Sequence, residues 1–74
     1  DGKSVQIRAS LSMKWEVIRI PIGTDGFART WEGFTVARFT SQGDAIVAAR
    51  AFTQNMPRHI HEVLNRGKVV YRAG

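Results

Sequence analysis

Two histidines, His59 and His61, are of a type and spacing that could bind a metal ion. Side chains two positions apart in a strand point to the same face, so the pair could begin a metal site. A zinc site needs at least one further ligand, but Glu62 would point to the other face of that strand and the chain has no cysteine. We therefore expect hydrogen-bonded or exposed histidines, no metal and no other cofactor.

The carboxylates and hydroxyls do not suggest an enzyme. Catalysis needs a nucleophile with a base, paired carboxylates or a metal. Several of the six acidic residues lie at predicted turns or at a helix start, where structure alone explains them. Gly23, Gly26 and Gly33 lack the spacing of a phosphate-binding loop. We predict a protein that is not an enzyme.

The basic residues carry the strongest functional signal. Eleven Lys and Arg stand against six Asp and Glu, which gives a net charge of +5, and eight of the eleven are arginine. Arginine beside aromatic rings suits phosphate contact and base stacking. We predict nucleic-acid binding through the open face of a sheet, although a basic surface that only contacts solvent is a simpler alternative. The candidate residues are Arg19, Arg29, Trp31, Arg38, Arg66, Lys68 and Arg72.

A protein-binding module is the alternative from a different class. Exposed Trp and Arg are enriched at interface hot spots, and a basic binder often has an acidic protein partner. An inhibitor or a phage- or plasmid-type accessory protein would fit this reading. Residues 4–11 alternate like a strand and carry only Arg8 as edge protection, so the segment could also pair with a second copy as a homodimer.

Residues 40–55 predict the one helix around which the chain is organised. Ser41 or Thr40 can cap its first turn, Asp44 suits the positive end of the helix dipole, and Pro57 disfavours helical geometry at the preceding residue. The apolar stripe that should pack on a sheet has helical spacing and consists of Ala45, Ala48, Ala49, Phe52 and Met56.

The remaining segments read as strands and turns. Asp25-Gly26 and Asn65-Arg66-Gly67 are typical turns, with Gly67 or Asn65 in the left-handed region. Residues 27–39 fit one bent strand or a short hairpin, and 59–64 fit a strand or a helical turn. The predicted strands are residues 4–11, 14–20, part of 27–39, 59–64 in the strand reading, and 68–72.

These elements predict an α+β fold. A small antiparallel sheet of three to five strands packs on one helix, in the order β-β-β-α-β(-β), within a single domain over residues 1–74. No run of 18 apolar residues or signal peptide is present, and the lack of cysteine favours a cytoplasmic protein. The predicted core is Val5, Ile7, Val17, Trp15 or Ile18, Val36, Ala45, Ala48, Ala49, Phe52, Val63 and Val69.

Residues 14–74 resemble a group of short bacterial proteins catalogued only as a domain of unknown function. The resemblance lies in Trp15-Glu16-Val17, in the helix from Ser41 with its Ala48-Ala49-Arg50, and in the closing Gly67-Lys68-Val69. The family has Asp-Gly before its last strand, where this chain has Arg66-Gly67. The resemblance implies a small sheet packed on one helix and transfers no functional residue.

Overall fold

The computed structural model describes residues 13–74. The predicted strand over residues 4–11 lies outside them, together with its dimer contact and the core positions Val5 and Ile7. Within the described residues the predicted α+β fold is confirmed: one antiparallel four-stranded sheet packs on one helix. The elements are β1 (Trp15–Pro21), a 3-10 turn (Thr30–Glu32), β2 (Phe34–Phe39), α1 (Gln42–Asn55), β3 (His59–Asn65) and β4 (Lys68–Ala73).

The four strands are arranged in the order β2-β1-β3-β4, with every neighbouring pair antiparallel. β1 is central because both of its faces are apolar, with Val17 on one and Ile18 and Ile20 on the other. Pro21 closes the strand, since it has no N–H to donate to the ladder. β1 therefore pairs with β2 along one edge and with β3 along the other.

The helix spans Gln42–Asn55, within the predicted stretch of residues 40–55. Ser41 is the N-cap, and its Oγ accepts a hydrogen bond from the backbone N–H of Asp44 at 3.2 Å. Ala45 and Ala49 are fully buried against the sheet, because a methyl group lets the helix approach closely. The predicted cap is confirmed, and so are Ala45, Ala49 and Phe52 of the stripe, whereas the predicted core residue Ala48 is half-buried and outside the core cluster.

The core lies between α1 and one face of the sheet, which we call the helix side. Its buried residues are Val17, Ala45, Ala49, Val63 and Ala73, and the partly buried residues packed against them are Trp15, Val36, Ala37, Phe39, Ile46, Phe52 and Tyr71. The prediction of Val69 as a core residue is wrong. Val69 pairs with Leu64 on the opposite face, the open face, and is 49% exposed.

Residues 27–39 form neither one bent strand nor a complete hairpin. Ala28 makes an isolated bridge to Ile22, the 3-10 turn follows, and β2 begins only at Phe34. The register of β2 on β1 shifts between Val17 and Ile18, so the pairing contains a bulge. This segment therefore adds a loop at the end of β1 before the chain returns to the sheet edge.

Residues 59–65 form a strand rather than a helical turn. The two-residue turn after β3 has Arg66 at φ 54° and Gly67 at φ 80°, as a type I′ hairpin turn requires. Of the two predicted alternatives, Gly67 is left-handed, and the residue that joins it in that region is Arg66 rather than Asn65. Among the described residues, no helix combines the length and apolar character needed to cross a membrane.

Candidate nucleic-acid interface

The seven predicted nucleic-acid residues fall into four places rather than one. Trp15 pairs with Asn65 and Pro21 pairs with His59, so the β3–β4 turn and the loop after β1 lie at opposite ends of the sheet. Arg66 and Lys68 lie at the turn, and Arg29 and Trp31 lie in the loop. Arg38 and Arg72 lie on the open face, whereas Arg19 lies on the helix side.

The loop over residues 22–33, which we call the aromatic loop, is held by its own backbone. The N–H of Gly23 donates to the carbonyl of Phe27 at 2.9 Å, and the N–H of Arg29 donates to the carbonyl of Pro21 at 2.8 Å. Gly26 takes a positive φ of 85°, and Asp25 Oδ1 accepts from the N–H of Phe27 at 3.1 Å. The loop is thus a defined turn, in keeping with the predicted Asp-Gly signal.

The Arg29 guanidinium connects the loop to the ring of Trp31. Its Nη2 donates to Asp25 Oδ2 at 3.3 Å, and its central carbon lies 5.6 Å from the centroid of the Trp31 ring. A Cβ at Gly23 would fall 2.4 Å from Arg29 Nη2, so the guanidinium lies against the bare glycine backbone. Trp31 is nevertheless 71% exposed and Phe27 is 72% exposed. The loop therefore presents two aromatic rings to solvent, one of them in a cation–π contact.

On the open face, the charges of the arginines are offset by neighbouring carboxylates. Arg72 donates to Glu62 Oε2 from Nε at 2.9 Å and from Nη2 at 2.6 Å. Arg38 Nη2 lies 3.6 Å from Glu16 Oε2. Each arginine is matched by one carboxylate, and apolar side chains such as Ile18 lie between the pairs. Arg38 and Arg72 thus lie on the open face, but each is paired with a carboxylate rather than standing as a free cation.

Arg19 and His61 form a contact that sequence reasoning missed. Arg19 Nε donates to His61 Nε2 at 3.1 Å on the helix side, so the prediction that Arg19 lines the open face is wrong. His61 is fully buried, and burial lowers its pKa below 6.5, with smaller contributions from the charges of Arg19 and His59. The two residues are 42 positions apart in sequence, and only the β1–β3 register places them side by side.

His59 and His61 share the helix side, as their spacing predicts. His61 fits the hydrogen-bonded alternative, since Thr53 Oγ1 lies 2.9 Å from its Nδ1. Over residues 13–74, no three His, Cys, Asp or Glu side chains come together as metal ligands. The contacts of His61 are thus hydrogen bonds to Arg19 and Thr53.

Arg58 lies beside the aromatic loop although it comes much later in the chain. Its carbonyl accepts from the N–H of Ile22 at 2.9 Å, and its side chain is exposed. A shallow depression between the two segments is lined by Ile22, Gly23, Thr24, Gly26, Pro57 and Arg58. Neither Arg58 nor Phe27 is in the predicted site, because nothing in the sequence pattern joins them to Trp31.

Comparisons with protein-family models, curated proteins and solved structures found no match for this chain. The family resemblance described above therefore stays a prediction.

Proposed function

We propose that this protein is a non-catalytic module that binds single-stranded nucleic acid through the aromatic loop. Trp31 stacks on a base, Phe27 offers a second apolar surface, and Arg58 lies close enough to the loop to contact phosphate. This places the predicted function on a smaller surface than the sheet face that the sequence suggests.

The observation that carries the proposal is the exposed Trp31 ring held against Arg29. A large aromatic side chain that is 71% exposed gains little from the fold, whereas an exposed ring gains free energy by stacking on a base. The guanidinium lies over the ring at 5.6 Å and restrains it, so little freedom is lost on binding. An aromatic ring can stack on any unpaired base, so we expect binding to single strands with little sequence preference.

The distribution of charge supports the same ligand. Within residues 13–74, the ion pairs join three arginines to three carboxylates. The exposed basic residues outside those pairs are Lys14, Arg50, Arg58, Arg66 and Lys68. Among the same described residues, the exposed acids outside the pairs are only Glu32, in the loop, and Asp44, on the helix, so a positive surplus remains. This surplus attracts a polyanion, and Arg58 brings part of it to the loop.

Titration with labelled oligonucleotides tests the proposal. Trp31→Ala should weaken binding to single strands by about 1–3 kcal/mol, and Trp31→Phe should retain most of the affinity because a ring remains. Val47→Ala is the matched surface control, since Val47 is exposed on α1 away from the sheet. Affinity should fall between 50 and 200 mM salt, and Arg58→Gln should reduce the salt slope by about one.

Absence of binding to any single strand at 50 mM salt would refute the proposal, because phosphate contacts are strong at low salt. Equal loss in Trp31→Ala and Val47→Ala would refute the role of the loop. Circular dichroism of each variant separates a binding defect from a folding defect.

Protein binding through the open face is a second candidate, favoured by a different observation. The arginines there are already paired with Glu16 and Glu62, and the apolar Val69 is half exposed beside them. A neutral, partly apolar surface suits a protein partner more than a polyanion. The acidic partner expected from net charge is therefore less suited to this face than an apolar one.

Matched surface variants distinguish the two candidates. A protein partner of the open face should be retained by wild type and Val47→Lys and lost by Val69→Lys, whereas oligonucleotide binding should survive Val69→Lys. Retention of such a partner by Val69→Lys would rule out the open face as its docking surface.

A further inference from the structure

A chain of hydrogen bonds on the helix side joins β1, β3 and β4 to the C-terminal end of α1. Arg19 of β1 donates to His61 Nε2 of β3 at 3.1 Å, and Thr53 of α1 lies 2.9 Å from His61 Nδ1. Thr53 Oγ1 also lies 2.9 Å from the carbonyl of Ala49 and 3.1 Å from the carbonyl of Ala73 in β4. One histidine therefore sits at the crossing of four elements.

The donors and acceptors of this chain allow only one form of His61. The guanidinium of Arg19 can only donate, so His61 Nε2 must be the unprotonated nitrogen that accepts. The single ring proton then lies on Nδ1 and is donated to Thr53 Oγ1, whose own hydroxyl proton goes to a carbonyl, either Ala49 or Ala73. With neutral His61, every contact from Arg19 to Thr53 joins one donor to one acceptor.

Apolar and aromatic contacts seal the ring from water. His61 is fully buried, and the ring of Phe52 stacks on it with centroids 5.4 Å apart. The guanidinium carbon of Arg19 lies 5.4 Å from the centroid of the same Phe52 ring. A proton added to His61 would therefore enter a site shielded from solvent and next to the cation of Arg19.

The charged groups around the ring can be named for each packed element. β1 presents Arg19, and β3 presents His59 two positions along the same face. In the described residues, α1 contributes Phe52 and Thr53 and β4 contributes Ala73, none of which titrates. Glu62 points to the open face, where it is bound to Arg72. No carboxylate in these contacts offsets a charge on His61.

We propose that His61 is an acid-sensitive latch, which in its neutral form holds the C-terminal turn of α1 and the end of β4 to the sheet and on protonation releases them. Protonated Nε2 carries a hydrogen toward the Arg19 Nε–H, so an attractive hydrogen bond becomes a contact of two donors and two cations. The contact of Thr53 Oγ1 with the carbonyl of Ala73 connects β4 to the helix. When the His61 ring leaves Thr53, the hydroxyl is no longer held in place for this contact.

The sign of the pH dependence follows from the lowered pKa of His61. Burial and the Arg19 charge disfavour the protonated form in the fold, whereas the unfolded chain takes up the proton near its ordinary value of 6.5. The stabilisation is therefore complete above about pH 6.5 and is lost as the pH falls below it, until the folded pKa is reached. Over that window the ratio of folded to unfolded protein should fall by up to about tenfold per pH unit.

The test is urea unfolding between pH 7.5 and 5.0 of wild type, His61→Gln and the matched control His59→Gln. These are the only two histidines in the chain, so each variant removes one of them and keeps the other. Wild type and His59→Gln should lose stability with acid, and His61→Gln should lose clearly less. An acid slope that survives in His61→Gln and disappears in His59→Gln would overturn the latch.

Nitrogen NMR of the wild-type protein decides the matter even if His61→Gln does not fold. The expected result is a neutral His61 with its proton on Nδ1 at pH 7.5 and a titration midpoint below that of free histidine. In Arg19→Met the midpoint should move toward 6.5, because the neighbouring cation is gone. A proton on Nε2, or an ordinary midpoint in the wild type, would overturn the proposal.

Hydrogen exchange separates release of a latch from uniform unfolding. Corrected for the intrinsic effect of pH, protection should fall first at residues 50–55 and 71–73 and later at 42–47. Simultaneous loss over all of α1 would show that His61 only lowers global stability and would contradict a latch.

Discussion

The two faces of the sheet use arginine in different ways. On the helix side, Arg19 donates to a buried neutral histidine and lies against Phe52. On the open face, Arg38 and Arg72 pair with carboxylates and remain more than half exposed. A count of basic residues treats the three alike, yet one is structural, two are neutralised, and none is a free cation for a polyanion.

The difference in burial determines how much each contact stabilises the fold. Exposed ion pairs contribute about 0–1 kcal/mol, because water and salt screen them. The helix side excludes water, so an unmet donor or a new charge there costs more. Mutations that remove comparable groups from the two faces should therefore have unequal effects.

The largest expected effect is on the helix side, at Phe52. Phe52→Ala removes the ring that stacks on His61 and packs against the core, and it should lower the free energy of unfolding by about 3 kcal/mol. This is the low end of the range for Phe→Ala because the side chain is only half buried. Thermal and urea unfolding measure the change.

Val47→Ala is the control on the same helix, since Val47 is exposed and outside the core. Its effect should stay within about 0.5 kcal/mol. Equal melting temperatures for Phe52→Ala and wild type would contradict the view that the helix side carries the stability of this domain.

The sequence predicts the elements better than the faces. The helix has a cap, a stripe and a proline after it, and β1 is rich in aromatic and β-branched residues with apolar side chains on both faces, so local signals are sufficient for both. Which face of β1 the helix covers is not encoded locally, because Val17 and Ile18 are similar residues on opposite faces. The position of Arg19 depends on that choice, and this is why its role could not be predicted.

Bulges explain two further errors of facing. Without a bulge, Val69 would share a face with Tyr71 and lie in the core, but the register shift between Val63 and Leu64 moves it to the open face. The shift in β2 likewise separates Thr35, opposite Ile18, from Ala37, opposite Val17, although the alternation predicts one face for both. A β-bulge shifts the strand pairing by one residue, and neither the composition nor the alternation of the sequence shows where it occurs.

The candidate site was predictable only where its parts are adjacent in sequence. Arg29 and Trp31 are two positions apart, so their contact could be suspected from the chain alone. Arg58 reaches the same loop through a backbone hydrogen bond to Ile22, across 36 positions of sequence. The contact of Arg19 with His61 is equally nonlocal, and both depend on the β1–β3 register.

The second prediction compares the two ion pairs of the open face. The Glu62 side chain is 9% exposed and that of Glu16 is 27% exposed. Arg72→Leu leaves the more buried carboxylate without its partner and should cost about 1–3 kcal/mol, whereas Arg38→Leu should cost less than about 0.5 kcal/mol. Urea unfolding at low and at 0.5 M salt measures both, and a larger cost for Arg38→Leu would show that burial of the carboxylate is not the deciding factor.

The third prediction compares the same isosteric change, threonine to valine, at Thr53 on the helix side and at Thr35 on the open face. Thr53→Val removes the acceptor for the buried His61 and the hydroxyl near the carbonyl of Ala73, and it should cost about 1–2 kcal/mol. Thr35→Val removes a donor to Glu16, whose carboxylate keeps Arg38 and contact with water.

The cost of Thr35→Val should therefore stay within about 0.5 kcal/mol, also because valine is favourable in a strand. Urea unfolding at pH 7.5, where His61 is neutral, gives both values without interference from the latch. If the two threonines cost the same, the hydroxyl of Thr53 is not needed to satisfy His61. The difference between the faces would then rest on apolar packing by Phe52 and the alanines of α1 alone, and the hydrogen-bond chain would be a consequence of that packing rather than a cause of stability.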